Sequence, residues 1–236
     1  MEKTYFIYGK HSVFSAIETT PEKITSIFIG DEKYILPKIT NTANYSIKKM
    51  DRNFFEKKFP HSNHQNIAAE VKIVEIEPID KFLNQEKSTI LVLDQITDPH
   101  NFGAIVRSAA AFGVDCIVSP QKNSVSDLAI IAKTSAGTSS RMPIYYQNLA
   151  SFIDLAKKYG FWSYALDAEA EKTIYQEKFP AKTIIIMGSE GKGLRRLVME
   201  NADIALKIPM AEKIESLNVS CACSIVLAQI FNRTIK

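Results

Sequence analysis

Apolar and polar positions follow two different rhythms along the chain, and the change falls near residue 77. Before it, "YGKHSVFSAI" at 8–17 brings Val13 and Ile17, with Phe14 beside them, onto one helical face. The run "ITSIFIG" at 24–30 predicts a strand ended by Gly30, and "DRNFFEKKF" at 51–59 predicts a short helix with an Asp start. Residues 67–76, "IAAEVKIVEI", alternate as a half-buried strand does. These elements predict a small α/β domain over residues 1–76. Residues 77–88, "EPIDKFLNQEKS", are mostly polar and read as a linker, within which "IDKFL" has the pattern of one helical turn.

From residue 89 the rhythm is that of short apolar runs set between helical patterns. Strands are predicted at 89–94, 114–119, 143–146, 161–167, 183–188 and 204–209, and helices at 102–112, 126–133, 149–159, 194–200 and 217–233. Runs apolar on both faces and interleaved with helices predict an α/β fold, a mostly parallel sheet with helices on both faces. In such sheets ligands gather at the carboxyl ends of the strands.

Composition adds little to this. Of 236 residues 46% are hydrophobic and 23% charged, an ordinary globular balance. The net charge is +3, and residues 1–75 hold 11 Lys and Arg against 9 Asp and Glu, so +2 of it sits there. That is compatible with nucleic acid without identifying it. Three cysteines cannot pair completely, and Cys221 and Cys223 fall in a helical pattern as small core residues, which favours a reducing compartment. No apolar run approaches the ~18 residues that span a bilayer, and "MEKTYFIYGK" has no signal core, so the cytoplasm is expected. "HSNH" at 61–64 has metal-like spacing but no third ligand type nearby, so no metal is expected.

Three loops at predicted strand ends carry the candidate chemistry. In "DPHNFGAIVRSAAAFG" at 98–113, Asn101 can cap a helix whose core stripe is Ile105, Ala109 and Phe112. Arg107 lies off that stripe among Gly103, Ala104, Ala110 and Ala111, either as a solvated side chain or as a cation that a bulky anionic ligand can approach. "MGSEGKGL" at 187–194 is neither the Walker pattern nor the dinucleotide fingerprint, and reads as a plain turn or as a loop a ligand approaches closely. Glu190 stands at its mouth, where it can orient Arg107 through a bidentate pair. Arg195 and Arg196 follow, suited to phosphate or to a solvated helix face. In "IPMAEKIESLNVSCA" at 208–222, Ser216 and Asn218 can cap the last helix, but capping leaves the length of the polar loop unexplained.

Together the segments "DPHNFGAIVRSAAAFGV", "IIIMGSEGKGL" and "IPMAEKIESLNVSCACSIVLAQIFNR" resemble, in order, the three motifs of the SpoU (TrmH-like) branch of the SPOUT RNA methyltransferases. "YGKHSVFSAI" and "HQNIAAEV" resemble the subgroup that methylates a guanosine ribose in large-subunit ribosomal RNA. The resemblance implies an S-adenosylmethionine-dependent 2′-O-methyltransferase domain at 89–236 with a C-terminal trefoil knot, working as a homodimer without metal. It also implies that the leading domain grips RNA. Gly188, Ile208, Met210, Ser216, Leu217 and Asn218 match cofactor positions, and Arg107, Asn101, Glu190, Ser216 and Asn218 match the catalytic polar positions. Within this plan Arg107 acts on the ribose hydroxyl, with Asn101 and Glu190 orienting it. The same chemistry on a tRNA guanosine or an antibiotic-resistance site in ribosomal RNA is the nearest competing reading. A knotted RNA-binding protein without transfer is the competitor from another class, and intact Arg107, Glu190 and Asn218 stand against it.

Overall fold

The structure is a computed structural model that describes residues 4–30, 45–72, 77–135, 138, 142–212 and 216–235. The chain forms two compact units, Met1–Glu75 with Asp127–Ser140, and Ile76–Ser126 with Arg141–Lys236.

The first unit is a four-stranded sheet with helices on it. Its elements are β1 (Thr4–Tyr8), α1 (Lys10–Thr19), β2 (Ile24–Ile29), β3 (Ser46–Lys49), α2 (Arg52–Lys58) and β4 (Ile67–Lys72), with strand order β1-β4-β2-β3. β4 runs antiparallel to both β1 and β2, and β3 lies parallel to β2. Val13, Ala16 and Ile17 of α1 pack on Ile7, Ile27, Ala69 and Val71, so the predicted helical stripe is the one that is buried. Phe14 packs beside them, only partly covered. α2 starts where Asp51 accepts a hydrogen bond from Phe54 N–H at 2.9 Å, and it buries Phe55 with Phe28, Phe59 and Ala68.

Three features depart from the sequence reading. The first helix begins at Lys10, because Tyr8 ends β1 opposite Ala68 and Gly9 turns the chain at φ 87°. β3 escaped prediction because its "SIKK" is an exposed edge with no apolar alternation. β4 ends at Lys72, and residues 73–76 of the predicted strand lie outside the described residues.

The second unit begins inside the stretch read as linker. α3 (Asp80–Leu83) buries Phe82 and Leu83 in that unit's core. β5 (Ser88–Leu93) follows, then α4 (Pro99–Ala111) and β6 (Cys116–Ser119). The chain next forms α5 (Leu128–Thr134), which groups by contact with the first unit and places Ala132 in its core. The single cut expected between residues 76 and 89 does not contain this excursion. The remaining elements are β7 (Ile144–Tyr146), α6 (Leu149–Lys158), β8 (Trp162–Leu166), β9 (Lys182–Met187), α7 (Arg196–Glu200), β10 (Ile204–Leu206) and α8 (Val219–Ile235).

The six strands of this unit lie in the order β10-β8-β9-β5-β6-β7 and are all parallel. Ile90 to Leu93 of β5 and Ile184 to Ile186 of β9 are completely buried, as strands covered on both faces must be. The chain leaves β5 toward β7, returns on the far side at β8, and then inserts β9 between β8 and β5. The strand order therefore reverses between β5 and β9, and a cleft opens beside that point, at the carboxyl ends of β8, β9 and β10.

α4 buries Phe102, Gly103, Ile105, Val106 and Ala109. Its N-cap is Asp98, which accepts from His100 and Asn101 N–H, and not Asn101; Pro99 in the first turn sets the start that early. Phe112 lies beyond the last turn, half-buried, with its ring 6.1 Å from that of Phe231. α8 packs along α4, and the Ser108 and Ser224 hydroxyls bond across the contact at 2.8 Å. Cys223 of α8 is buried, but Cys221, two residues earlier and so on the opposite side of the helix, is exposed. Among the described residues no helix is long and apolar enough to cross a membrane.

Candidate active site

The glycine loop leaves β9 at the strand-order reversal and folds back on itself. Ser189 N–H donates to Gly193 C=O at 3.1 Å, and Gly193 N–H returns a bond to Ser189 C=O at 3.0 Å. A Cβ on Gly188 would stand 2.3 Å from the Gly193 carbonyl carbon, so only glycine allows the closure. The loop ends at Arg195, whose backbone N–H and guanidinium both reach the carboxylate of Asp94, a fully buried residue just after β5. Arg195 is thus committed to the protein and not free for phosphate. Arg196 is exposed and pairs with Glu200 one turn on, at 3.4 Å.

Glu190, near the tip of this loop, gathers the three motif segments. Its Oε1 accepts from Asn218 Nδ2 at 2.7 Å, from Val219 N–H at 3.0 Å and from Asn101 Nδ2 at 3.2 Å. Asn218 Nδ2 also donates to Asn101 Oδ1 at 2.9 Å. Asn218 Oδ1 in turn accepts from Ser220 N–H at 3.0 Å and Cys221 N–H at 3.4 Å, so it caps α8 as the sequence indicated. The Glu190 carboxylate lies at the N-terminal end of α8, where the peptide dipoles favour negative charge.

Beside this node opens a cleft of ≈ 530 Å³. Gly188, Ile208, Met210, Ser216 and Leu217 line it, as does Glu190. Five of the six expected cofactor positions therefore surround one cavity, and the sixth, Asn218, holds Glu190 at its edge. The volume is in the range that takes a small molecule, about 300–1,000 Å³. Asp167 and Lys207, which follow β8 and β10, also line it and were not singled out by the sequence. Residues 213–215, the last three of the charged "EKIE" at 212–215, lie outside the described residues.

Arg107 is the expected member that this chain does not bring to the node. It is exposed on α4, and among the described residues its side chain forms no hydrogen bond or ion pair. Six residues separate it from Asn101, which at about 100° per residue turns it far from the Glu190 side of the helix. The bidentate Glu190–Arg107 pair is thus absent within one chain, and the Glu190 oxygen is occupied by amides. Ser216 is exposed at the cleft wall, two residues before the cap. Among the described residues no group of three His, Cys, Asp or Glu side chains is placed to hold a metal ion.

Two family patterns match the chain, the SpoU rRNA Methylase family over residues 88–228 and an RNA 2′-O ribose methyltransferase substrate-binding domain over residues 6–77. The chain is 38% identical over 232 residues to the 23S rRNA (guanosine-2′-O-)-methyltransferase RlmB of Vibrio parahaemolyticus, covering 94% of each. It is 35% identical over 231 residues to the RlmB of Escherichia coli K12, covering 94% of this chain and 95% of that one. In three dimensions it is similar to the SpoU methyltransferase AviRb of Streptomyces viridochromogenes, solved in complex with AdoMet. That match has a TM-score of 0.81 at 18% identity, over 99% of this chain and 91% of that one.

Proposed function

The chain belongs to the SpoU rRNA methylase family, and from that premise we propose that it methylates the ribose 2′-oxygen of a guanosine in 23S ribosomal RNA, with S-adenosylmethionine as donor. The observation that carries this reading onto the chain's own residues is the node at Glu190. It joins the first and third motif segments to the glycine loop beside a cleft of cofactor size. Mapping 2′-O-methyl positions in ribosomal and transfer RNA with and without the gene tests it. Loss of one 23S guanosine methylation is expected, and loss of a tRNA position alone overturns the substrate.

The residues present fit the cofactor. Apolar Ile208, Met210 and Leu217 offer walls for a flat base, and the glycine loop offers peptide N–H and C=O groups without side chains in the way. When bound, S-adenosylmethionine supplies a methyl group already activated on a sulfonium, so transfer needs no metal and no covalent nucleophile. The protein's task is to place the 2′-oxygen in line and to make it nucleophilic.

Arg107 performs that second task. A guanidinium with pKa above ~12 is a poor proton acceptor at neutral pH. Its fixed charge and forked donors instead stabilise negative charge developing on the 2′-oxygen, while the proton leaves to water or phosphate. Because Arg107 stands free of Glu190 within one chain, the site is completed in a homodimer, where Arg107 of one protomer meets the node of its partner. Asn101, Glu190 and Asn218 hold the cleft's rim, and Ser216 presents a hydroxyl to its contents. Residues 1–76 grip the RNA and residues 89–236 carry the transfer, the last of them threaded as a trefoil knot. The close approach of Val219 to the glycine loop supports that threading. The cytoplasm is a compartment that fits this function.

A further inference from the structure

The buried Asp94 is a strongly paired carboxylate at the carboxyl end of the sheet that the transfer step does not use. Asp94 is 0% exposed, so its charge depends on the partners it finds inside the protein. Its Oδ2 accepts from Arg195 N–H at 2.9 Å, and its Oδ1 accepts from Arg195 Nε at 2.8 Å and Nη2 at 2.7 Å. Its own backbone N–H donates to Met187 C=O at 2.8 Å. Met187 and Arg195 are the residues that flank the 188–194 loop on either side. One buried residue on the neighbouring strand therefore ties down both ends of the glycine loop.

Within itself the loop is lightly held. Residues 190–193 are exposed, and the bonds within the loop are the two between Ser189 and Gly193, with a longer Ser189 hydroxyl contact. Yet Glu190 must meet Asn218 and Val219 within 0.3 Å of each other in bond length, and Gly188 must face the cleft. The bonds from Asn101, Asn218 and Val219 hold Glu190 once the tip is aimed, and the base that aims it is fixed by Asp94. We infer that Asp94 and Arg195 are positioning residues for the cofactor cleft, a clamp that sets Gly188 and Glu190 without touching the ligand. This rests on the proposed reading that the cleft takes S-adenosylmethionine.

The adjacent arginine supplies the internal control. Arg196 has the same charge and nearly the same place in the sequence, but it is exposed and paired only with Glu200. The full-length variants Arg195→Lys, Arg196→Lys, Asp94→Asn and the double Asp94→Asn/Arg195→Lys are to be titrated with S-adenosylmethionine by calorimetry. Methyl transfer to 23S RNA is assayed in parallel, and melting temperature is recorded for each. Arg195→Lys keeps the charge and the backbone bond but loses the fork, so Kd and KM for the cofactor rise about tenfold while KM for RNA stays within about twofold. Arg196→Lys matches wild type. The double variant is no worse than the more damaged single one, because the two residues act as a unit.

Wild-type cofactor affinity in Arg195→Lys overturns the clamp. So does equal loss in Arg196→Lys, or an affinity loss that only tracks the unfolded fraction. If Asp94→Asn fails to fold, the comparison of the two Lys variants still decides. Wild-type protein that does not bind the cofactor defeats the functional reading and the clamp together, whereas a wild type that binds and methylates beside unaffected variants defeats the clamp alone.

Discussion

The two ends of the parallel sheet use the same kinds of polar residue to opposite purposes. At the amino end, Asp203 accepts from Ser163 N–H at 2.8 Å and Oγ at 2.6 Å and pairs with Lys157 at 3.0 Å. Lys182 donates to Leu83 C=O and Tyr159 C=O, both at 2.9 Å, closing the C-terminal ends of α3 and α6, and lies over the Phe161 ring. These networks are complete in themselves. At the carboxyl end, Glu190 is bonded by three donors yet lines a cleft of ≈ 530 Å³, and on the helix that starts there the Arg107 side chain has no partner among the described residues. Polar groups paired on all sides belong to the architecture. A satisfied node next to open volume, with an exposed cation on the neighbouring helix, is what the proposed chemistry would use.

Removing the exposed cation tests this contrast most severely. Arg107→Ala is expected to lower kcat by at least about 10²–10³-fold, the usual scale for losing a donor to a developing oxyanion. Cofactor affinity should stay at the wild-type value, because Arg107 does not line the cleft. Affinity lost along with turnover, read by calorimetric titration, would falsify the role given to it. Gly188→Ala comes next. Its methyl would lie 2.3 Å from backbone, so the loop must open, cofactor binding is lost, and overpacking removes about 1–3 kcal/mol of stability. Titration and thermal melting of the variant check both parts, and unchanged binding would show that the loop has room the geometry denies.

Why some of this was legible and some was not follows from particular residues. β5 and β9 were readable because strands buried on both faces are written as unbroken Ile, Leu and Val. β3 was not, since "SIKK" belongs to an exposed edge whose partner strand supplies its structure. α4 was readable but its cap was not, because Asp98 and Asn101 are both good caps and Pro99 decides between them through backbone geometry. The polar candidates were proposed through their motif resemblance, and the structure brings Asn101, Glu190 and Asn218 together and sets five of the expected cofactor positions around one cleft. Asp94 was missed because an acid after an apolar strand looks like any solvated strand end. Only the tertiary packing shows it fully buried and facing Arg195. For the same reason Arg195 and Arg196 looked alike in sequence and are not alike in the structure.

The smaller predictions set the two ends against each other directly. Glu190→Gln keeps the shape of the node but replaces the carboxylate that three N–H donors address, so turnover is expected to fall about tenfold. Full turnover in that variant would remove Glu190 from the site. Asp203→Asn should do the reverse, leaving turnover intact and costing about 1–2 kcal/mol of stability at neutral pH through weakened bonds to Ser163 and Lys157. Its pH dependence gives the sharper check. Burial raises the Asp203 pKa, but hydrogen bonds from Ser163 and the Lys157 charge outweigh it and hold the carboxyl below its usual 3.8. A carboxyl depressed on folding contributes stability that is fully present above pH 3.8 and is lost as pH falls through its lower folded value. The difference in unfolding free energy between wild type and Asp203→Asn should therefore be constant from neutral pH down to that point and shrink below it. A difference that instead grows in acid would mean that the amino-end network is not held by this carboxylate, and the contrast between the two ends would lose its structural half.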